Sequence, residues 1–386
     1  MRLTKLFKEF FRSQKAGGIV LILCTVFSLI VTNSPLQTFY LSIWNFELGH
    51  HTITHWINDG LMAIFFLMIG LELEREVYIG ELSNVKNSLL PILAALGGMV
   101  VPATIHMAFN YGTPYQAGAG IPMATDIAFA LGVLSLLGNR VPVALKVFLT
   151  ALAVIDDVGA ILVIAFVYTG SLDWMNLSFA AGIFVFLLVL NRLKVMNLVP
   201  YLIGGVVMWY FMLNSGIHAT ITGVLLAFAI PFGDGSEKTI SWKLQHTLHR
   251  PVQFLILPVF ALANTALILH GNWYEMLLLT NSIGIAAGLI IGKPLGIISF
   301  SYLSIVTKIS SIPAGMNFKQ MLGAGFLGGI GFTMSIFITL LAFSDESSVE
   351  QSKISIMLSS LIAGLIGFVI LKLVLRKKHN RTLEEI

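Results

Sequence analysis

The sequence has little charge and almost no cysteine. Only 11% of its 386 residues are charged and one is a cysteine, Cys24, whereas 56% are hydrophobic. Soluble domains carry roughly 25% charged residues, so this composition excludes a soluble globular protein. A single cysteine also excludes a disulfide framework within the chain. The longest polar stretch, about residues 233–250, is too short to fold as a separate domain. We therefore predict one polytopic membrane domain.

Long apolar runs divide the chain from end to end. A membrane-spanning helix needs about 20 apolar residues, and fewer where it is broken and buried among other helices. Twelve segments meet this condition: 14–33, 56–77, 87–108, 120–137, 142–169, 174–192, 198–213, 215–231, 253–270, 281–303, 320–343 and 354–375. The predicted organisation is an amphipathic cytoplasmic N-terminus over residues 1–13, a twelve-helix transmembrane domain over 14–375 and a cytoplasmic tail over 376–386.

The positions of lysine and arginine predict the orientation. If the N-terminus is cytoplasmic, all of the 23 Lys and Arg residues except Lys293 and Lys353 lie at the cytoplasmic ends of the twelve segments. Cytoplasmic loops of membrane proteins carry this excess of basic residues. Both termini are therefore predicted to be cytoplasmic. The formal net charge of +4 reflects this topology and does not indicate a nucleic-acid partner.

Two of the predicted segments have the composition of interrupted helices. The fourth contains Gly120 and Pro122 just before Thr125 and Asp126, and the eleventh has five glycines within residues 323–331. Glycine at this density disfavours a continuous helix, although small residues also favour close helix packing. We predict two helices that unwind at mid-membrane and cross, as known from secondary transporters. Each interrupted segment is the middle one of a group of three, segments 3–5 and segments 10–12. The two groups begin on opposite sides of the membrane, so they permit an inverted repeat.

Four ionisable side chains lie inside apolar segments: Asp126, Asp156, Asp157 and Lys293. A charge at mid-membrane costs between ~2.5 and ~17 kcal/mol depending on the method, so such residues are rare without a function. Broken helices expose about half an elementary charge at each end. We expect Asp126 to offset N-termini, and Lys293 either to offset C-termini or to pair with Asp156. Adjacent helical residues point about 100° apart, so one aspartate of the pair can face a cavity.

The oxygen atoms predicted at this place suit a small hard cation. Carboxylate, hydroxyl and backbone carbonyl oxygens are the ligands that such ions prefer. Two close carboxylates also resist full ionisation, so the site would hold either protons or a cation such as Na⁺ or Li⁺. Exclusive occupancy of this kind is what an ion exchanger requires. A buried structural ion network is the alternative interpretation.

Eight short motifs follow one another along the chain. They are WINDGLM at 56–62, GLE at 70–72, RE at 75–76, ATDIAFALG at 124–132, IDD at 155–157, SGIHAT at 215–220, IGKPLG at 291–296 and GIGFTMSIFI at 329–338. With these motifs in this order over residues 14–375, the chain resembles the NhaA-type sodium/proton antiporters.

The resemblance implies pH-regulated, electrogenic exchange of Na⁺ or Li⁺ for H⁺ by alternating access across the bacterial inner membrane. It implies contact with membrane lipid and no cofactor. Cation and proton binding would belong to Asp156 and Asp157, with Asp157 as the main cation ligand. Thr125, Asp126 and Lys293 would support the crossed helices.

The resemblance also assigns a response to pH to a second group of residues: Asp59, Glu72, Arg75, Glu76, His218 and His246. The residues alone allow a plainer interpretation, since positions 72–76 read as a charged helix end and a lone histidine is usually structural. The chain departs from the family at Gln245, where a glutamate is common, and this puts one acidic contact of the pH response in doubt.

The family's homodimer contact is also in doubt for this chain. It is formed by a β-hairpin in the first outer loop, whereas the loop between Pro35 and His55 is short and its first strand is not evident in the sequence. A homodimer is allowed, but this contact is not predicted.

Two other functions fit parts of the pattern. An uncoupled cation channel would use acidic rings and continuous pore-lining helices, which the interrupted segments and Lys293 do not suggest. An intramembrane aspartyl protease would use Asp126 and Asp157 on separate helices, but its Gly-x-Gly-Asp signature is absent at both positions. Ion exchange is therefore the function that the sequence favours.

Overall fold

The protein is almost entirely helical, as the apolar segments predict. The computed structural model describes residues 5–83, 85–269, 271 and 273–381. Its α-helices are α1 (Lys5–Thr32), α2 (Gln37–Trp44), α3 (Ile53–His55), α4 (Met62–Tyr78), α5 (Val85–Asn110), α6 (Ile127–Leu136), α7 (Val143–Val167), α8 (Trp174–Arg192), α9 (Leu198–Leu213), α10 (Ile221–Ala229), α11 (Ile240–Pro251), α12 (Leu257–Asn264), α13 (Thr280–Ala287), α14 (Lys293–Val306), α15 (Phe318–Gly328), α16 (Phe332–Ala342) and α17 (Glu346–Arg381).

Shorter elements connect these helices. The 3-10 helices are Glu81–Ser83, Pro114–Met123, Gly138–Arg140 and Trp273–Leu278, and π-helical turns occupy Trp56–Leu61, Val252–Ile256 and Gly288–Gly292. The strands are β1 (Glu47–Leu48) and β2 (His51–Thr52). Of the two predicted cytoplasmic ends, residues 1–4 and 382–386 lie outside the described residues, while 5–13 and 376–381 continue α1 and α17.

All twelve predicted segments contain helix, but not all reach the length of a span. Six helical stretches of the described chain are long and apolar enough to cross a bilayer: Ile53–Tyr78, Ser88–Asn110, Val143–Val167, Trp174–Arg192, Thr280–Val306 and Glu346–Leu375. Two bent helix pairs raise this number to eight, and Ala16–Thr32 and Leu198–Leu213 are shorter apolar helices. The predicted segment 215–231 contains the short helix α10, and 253–270 contains most of the π-helical turn Val252–Ile256 followed by the short helix α12. Neither is among the candidate spans, so the count of twelve spans stays a prediction.

The two predicted interruptions are confirmed. In the fourth segment the 3-10 helix Pro114–Met123 and α6 meet at a bend of 44°, and in the eleventh α15 and α16 meet at 45°. Glycine and proline at these two places disfavour a straight hydrogen-bonded ladder, which accounts for the breaks.

The first outer loop contains the hairpin that the sequence analysis did not find. β1 and β2 pair antiparallel, with Glu47 opposite Thr52 and Leu48 opposite His51. Gly49 in the turn has a φ of +73°, which glycine adopts without strain. The first strand, which is not evident in the sequence, is therefore present as β1. Strands of two residues are too short to produce the alternating pattern by which a strand is recognised.

Contacts divide the chain into two units. Unit 1 comprises the described parts of residues 1–23, 84–160 and 268–386, and therefore contains both interrupted segments. Within this unit, α5 and α14 approach each other very closely. The approach is shown by Gly296, where an added Cβ atom would lie only 2.1 Å from the carbonyl oxygen of Gly97. Two glycines that face each other allow this approach, and it fixes the helix that carries Lys293.

Unit 2 comprises residues 24–83 and 161–267. It contains the hairpin, α2 to α4 and α8 to α12. Its core is apolar, with Leu71, Leu187, Tyr201, Met208 and Leu226 buried against one another.

A methyl group at Gly296 should destabilise unit 1. Gly→Ala inside a helix ordinarily stabilises by roughly 0.5–1 kcal/mol. Here the added Cβ would collide with a backbone oxygen of α5, and overpacking of this kind costs about 1–3 kcal/mol. We expect the midpoint of thermal unfolding in detergent to fall for Gly296→Ala. Gly182→Ala on α8 is the matched control, since nothing lies within 4 Å of its Cβ position, and its midpoint should stay or rise. Equal midpoints for the two variants would contradict the close packing.

Candidate ion-binding site at the crossing of two broken helices

The breaks in the fourth and eleventh segments touch each other. Ala124 and Asp126 have extended backbones with ψ angles of 149° and 98°, so the chain is not helical between the 3-10 helix and α6. The amide nitrogen of Asp126 donates to the carbonyl oxygen of Ile330 at 2.7 Å. This hydrogen bond joins the two interrupted segments at their centres.

Asp126 lies between two helix N-termini. Its Oδ1 accepts from the amide of Phe129 in α6 at 3.0 Å. Its Oδ2 accepts from the amide and the hydroxyl of Thr333 in α16, at 3.1 and 2.5 Å. Each N-terminus carries about half a positive charge, so two of them together match one carboxylate.

Lys293 makes both of the contacts that the sequence left open. Its Nζ donates to Asp156 Oδ2 at 2.7 Å. The same group donates to the carbonyl oxygen of Met123, the last residue of the 3-10 helix. The lysine therefore pairs with an aspartate and also lies at a helix C-terminus, where a positive charge is favourable.

The backbone around Lys293 departs from a regular helix. Pro294 has no N–H, so it cannot continue the α-helical ladder. In the preceding turn the amide of Lys293 donates to Gly288, five residues back, which is π-helical geometry. α15 ends beside this turn, because a Cβ on Gly329 would lie only 2.3 Å from the carbonyl oxygen of Leu289. Only glycine permits this approach.

Asp156 and Asp157 are adjacent on α7 and buried, with 1% and 2% of their surface exposed. Thr125 Oγ1 lies 2.6 Å from Asp156 Oδ2 and 2.8 Å from the carbonyl oxygen of Gly328. Asp157 interacts electrostatically with Lys293. The two carboxylates, the hydroxyl and the lysine therefore form one cluster inside unit 1.

Asp156 contributes a buried oxygen without a donor. Asp156 Oδ1 accepts no hydrogen bond from any residue that the structure describes. A buried carboxylate oxygen in this condition is costly and calls for water, a proton or a cation. Within the described chain, no group of three or more His, Cys, Asp or Glu residues is placed to hold a metal ion.

The residues expected to respond to pH belong to unit 2. Glu72, Arg75 and Glu76 follow one another on the C-terminal part of α4. Arg75 Nη1 lies 3.5 Å from Gln245 Oε1 on α11, and the next residue, His246, stacks on Trp242 with 4.9 Å between ring centroids. At Gln245 the chain therefore offers Arg75 a neutral amide instead of a carboxylate.

Asp59 and His218 are the remaining two residues expected to respond to pH. Asp59 Oδ2 lies 3.3 Å from His55 Nε2 one helical turn earlier, and Asp59 also interacts electrostatically with His218. His218 Nε2 is 2.9 Å from the carbonyl oxygen of Tyr168. The sequence analysis did not pair His55 with Asp59, although their i, i+4 spacing was a usable signal. Glu74, which it read as part of a charged helix end, is a carboxylate of α4 that is only 5% exposed.

Two serines at the crossing were also missed. Ser335 Oγ in α16 donates to the carbonyl oxygen of Ile121 at 2.6 Å. Ser360 Oγ in α17 accepts from the amides of Gly331 and Phe332, both at 3.2 Å. Nothing in their own stretches of sequence distinguishes them from other serines in apolar helices.

The chain is similar to known proteins over nearly its whole length. Residues 8–371 match the family described as Na⁺/H⁺ antiporter 1. A protein named Na(+)/H(+) antiporter NhaA from Flavobacterium psychrophilum is 62% identical over 376 residues, which are 97% of this chain and 98% of that protein. One of the same name from Cytophaga hutchinsonii is 60% identical over 385 residues, which are 100% of both.

A solved structure has a related fold. The sodium proton antiporter MjNhaP1 from Methanocaldococcus jannaschii at pH 8 aligns over 95% of both chains with a TM-score of 0.50 and 15% identity. At this identity the likeness concerns the fold alone. Together with the apolar helices, it identifies the chain as an all-α polytopic membrane protein.

Lys293 and Asp156 should be strongly coupled. Removing one partner of a buried ion pair costs about 3–5 kcal/mol because a buried charge is left without its counter-ion. We expect Lys293→Gln and Asp156→Asn each to lower the midpoint of thermal unfolding in detergent. In the double variant, the decrease in the midpoint should be smaller than the sum of the decreases in the two single variants. Additive losses would show that the pair is not coupled.

His249 on α11, outside the candidate spans, should affect stability in acid. Burial lowers the pKa of its imidazole, and His246 and Arg250 act in the same direction. The unfolded chain therefore binds the proton more readily. The resulting contribution to stability is complete above the unfolded pKa of about 6.5 and is lost as the pH falls below it. We expect the midpoint of thermal unfolding to fall less steeply on acidification in His249→Gln than in the native protein; parallel curves would be evidence against this.

Proposed function

The chain belongs to the Na⁺/H⁺ antiporter 1 family and is a sodium/proton exchange transporter, not an enzyme, and we propose that it exchanges Na⁺ or Li⁺ for H⁺ at Asp156 and Asp157. The observation that supports this most directly is the buried Asp156 Oδ1, which has no hydrogen-bond donor among the described residues. Oxygen ligands of this kind suit small hard cations.

The charges at the crossing favour a cargo with a single positive charge. Asp126 is balanced by two helix N-termini, and Asp156 is balanced by Lys293. Asp156, Asp157 and Lys293 together have two carboxylates and one ammonium group, so their formal net charge is −1 when all three are ionised. One Na⁺, one Li⁺ or one proton neutralises it, and a proton and a cation compete for the same place.

Electrogenic exchange follows if more than one proton leaves for each cation that binds. Asp156, Asp157 and Lys293 can each hold a proton, whereas the net charge accommodates only one cation. Lys293 donates to Asp156, so cation binding at the aspartates also acts on the lysine. Alternating access would expose this site to one side of the membrane at a time.

We further propose that pH regulates the transporter through Asp59, Glu72, Arg75, Glu76, His218 and His246. Asp59 Oδ2 lies 3.3 Å from His55 Nε2, and Asp59 also interacts electrostatically with His218, so a carboxylate and two imidazoles are grouped in this part of unit 2. Gln245 keeps a neutral group beside Arg75, so this contact does not itself titrate. We expect the pH dependence of the chain to differ there from relatives that carry a glutamate.

The proposed location is the bacterial inner membrane, with several spans and both termini in the cytoplasm. The distribution of lysine and arginine supports this orientation. The hairpin supports a homodimer, because Glu47 and Leu48 in β1 are exposed and an exposed strand edge can pair with a second copy. Neither an uncoupled channel nor an intramembrane protease accounts for membership in an antiporter family.

The proposal is tested in proteoliposomes that carry a preset pH gradient, acidic inside. Adding Na⁺ or Li⁺ outside to the native protein should collapse the gradient, and clamping the membrane potential should change the rate. For Asp157→Asn, the response should fall to that of protein-free liposomes, because one of the two carboxylates proposed to bind the cation and the proton is removed.

Asp173→Asn is the matched control. Asp173 is an exposed carboxylate that caps α8 through the amides of Met175 and Asn176, and asparagine also caps helices well. Its rate should equal that of the native protein. A native protein that responds to neither ion from acidic to alkaline pH would refute the proposal, as would full exchange by Asp157→Asn.

A further inference from the structure

The helix after the second break begins without a cap of its own. α16 starts at Phe332, and the preceding residue is Gly331, which has no side chain to accept a hydrogen bond. The first amides of a helix have no partner within that helix, and in an apolar interior each of them needs one. Acceptors for this end must therefore come from other segments.

Two segments supply them. Asp126 accepts from the amide of Thr333 on one side. On the other side Ser360 Oγ accepts from the amides of Gly331 and Phe332, both at 3.2 Å. Ser360 is 5% exposed and lies 28 residues beyond Phe332 in sequence. Three successive amides are thus held between a carboxylate and a hydroxyl.

The position of this helix end matters for the ion site. The carbonyl of Ile330 accepts from the amide of Asp126 at 2.7 Å, and Thr125, the neighbour of Asp126, contacts Asp156 Oδ2 at 2.6 Å. A shift of Gly331 and Phe332 would therefore be passed through Asp126 and Thr125 to the carboxylate that faces Lys293.

We propose that Ser360 is a positioning residue for ion exchange. By holding the amides of Gly331 and Phe332, it keeps the positive end of α16 directed at Asp126 and thereby sets the geometry around Asp156. It touches neither cargo nor proton. This inference rests on the proposed exchange at Asp156 and Asp157.

A purely structural role for Ser360 would be helix adhesion, which buried serines often provide in membrane proteins. The same helix offers a comparison. Ser355 Oγ, 1% exposed, donates at 2.9 Å to the carbonyl oxygen of Ser282, which lies on α13 and not on either broken helix. Removing either hydroxyl deletes a buried contact of α17, but only Ser360 holds the end of α16.

The experiment compares Ser360→Ala, Ser360→Thr and Ser355→Ala with the native protein. In proteoliposomes the apparent KM for Na⁺ and Li⁺ and the pH profile of exchange should change for Ser360→Ala. KM should rise about three- to ten-fold, which is the typical free energy of a lost helix cap expressed as a change in affinity. Ser360→Thr keeps the hydroxyl and should restore both quantities. Ser355→Ala should lower thermal stability and leave KM and the pH profile as in the native protein.

Hydrogen–deuterium exchange gives a readout that does not depend on transport. Peptides covering residues 328–335 should exchange faster in Ser360→Ala than in the native protein or in Ser355→Ala. If Ser360→Ala yields too little folded protein, Ser360→Cys keeps the volume but weakens the acceptor, and it serves in the same comparison.

The inference would be overturned if Ser360→Ala kept the native KM, the native pH profile and the native rate of hydrogen–deuterium exchange, or if Ser355→Ala shifted KM equally. If the native protein itself transports neither Na⁺ nor Li⁺ in exchange for H⁺, the proposed function fails. Hydrogen–deuterium exchange of residues 328–335 then still shows whether Ser360 holds the end of the helix.

Discussion

Backbone groups that a broken helix frees inside a membrane need partners within the protein, because the hydrocarbon core offers none. Here two helices break at the same place, and side chains from other segments meet the freed groups. Asp126 accepts hydrogen bonds from amides at two helix N-termini. Lys293 donates to the carbonyl oxygen of Met123, and Ser335 donates to that of Ile121. The contacts that hold the breaks together thus also hold the charged residues in position.

This arrangement explains how so many ionisable groups coexist in apolar surroundings. Asp126 is matched by two helix ends and Asp156 by Lys293, so two of the carboxylates at the crossing have local partners of opposite charge. The proposed ion site and the broken helices share these hydrogen bonds. A substitution that moves a helix end is therefore expected to alter binding even when it touches no ion.

Unit 2 carries titratable groups of a different kind. Asp59 lies beside His55, one helical turn earlier, and interacts electrostatically with His218. Arg75 contacts the neutral amide of Gln245, so the proposed response to pH has no carboxylate at that contact.

Much of the fold and of the site could be read from the residues alone. Apolar runs predict helices, glycine and proline predict where two of them break, and a carboxylate or lysine within an apolar run predicts an ion site. These features can be read locally because their cost depends on neighbours in the chain and on the bilayer. The hairpin at Glu47–Thr52 escaped prediction because strands of two residues leave no pattern.

The residue pattern therefore predicts that the chain spans a membrane, which helices are interrupted, and that Asp126, Asp156, Asp157 and Lys293 carry the buried charge. The packing of the helices was needed to show that Lys293 contacts both Asp156 and Met123, and that Ser335 and Ser360 complete the crossing. The serines could not be predicted because a serine in an apolar helix costs little and can bond its own backbone. Its partner in a distant segment is selected only when the helices pack.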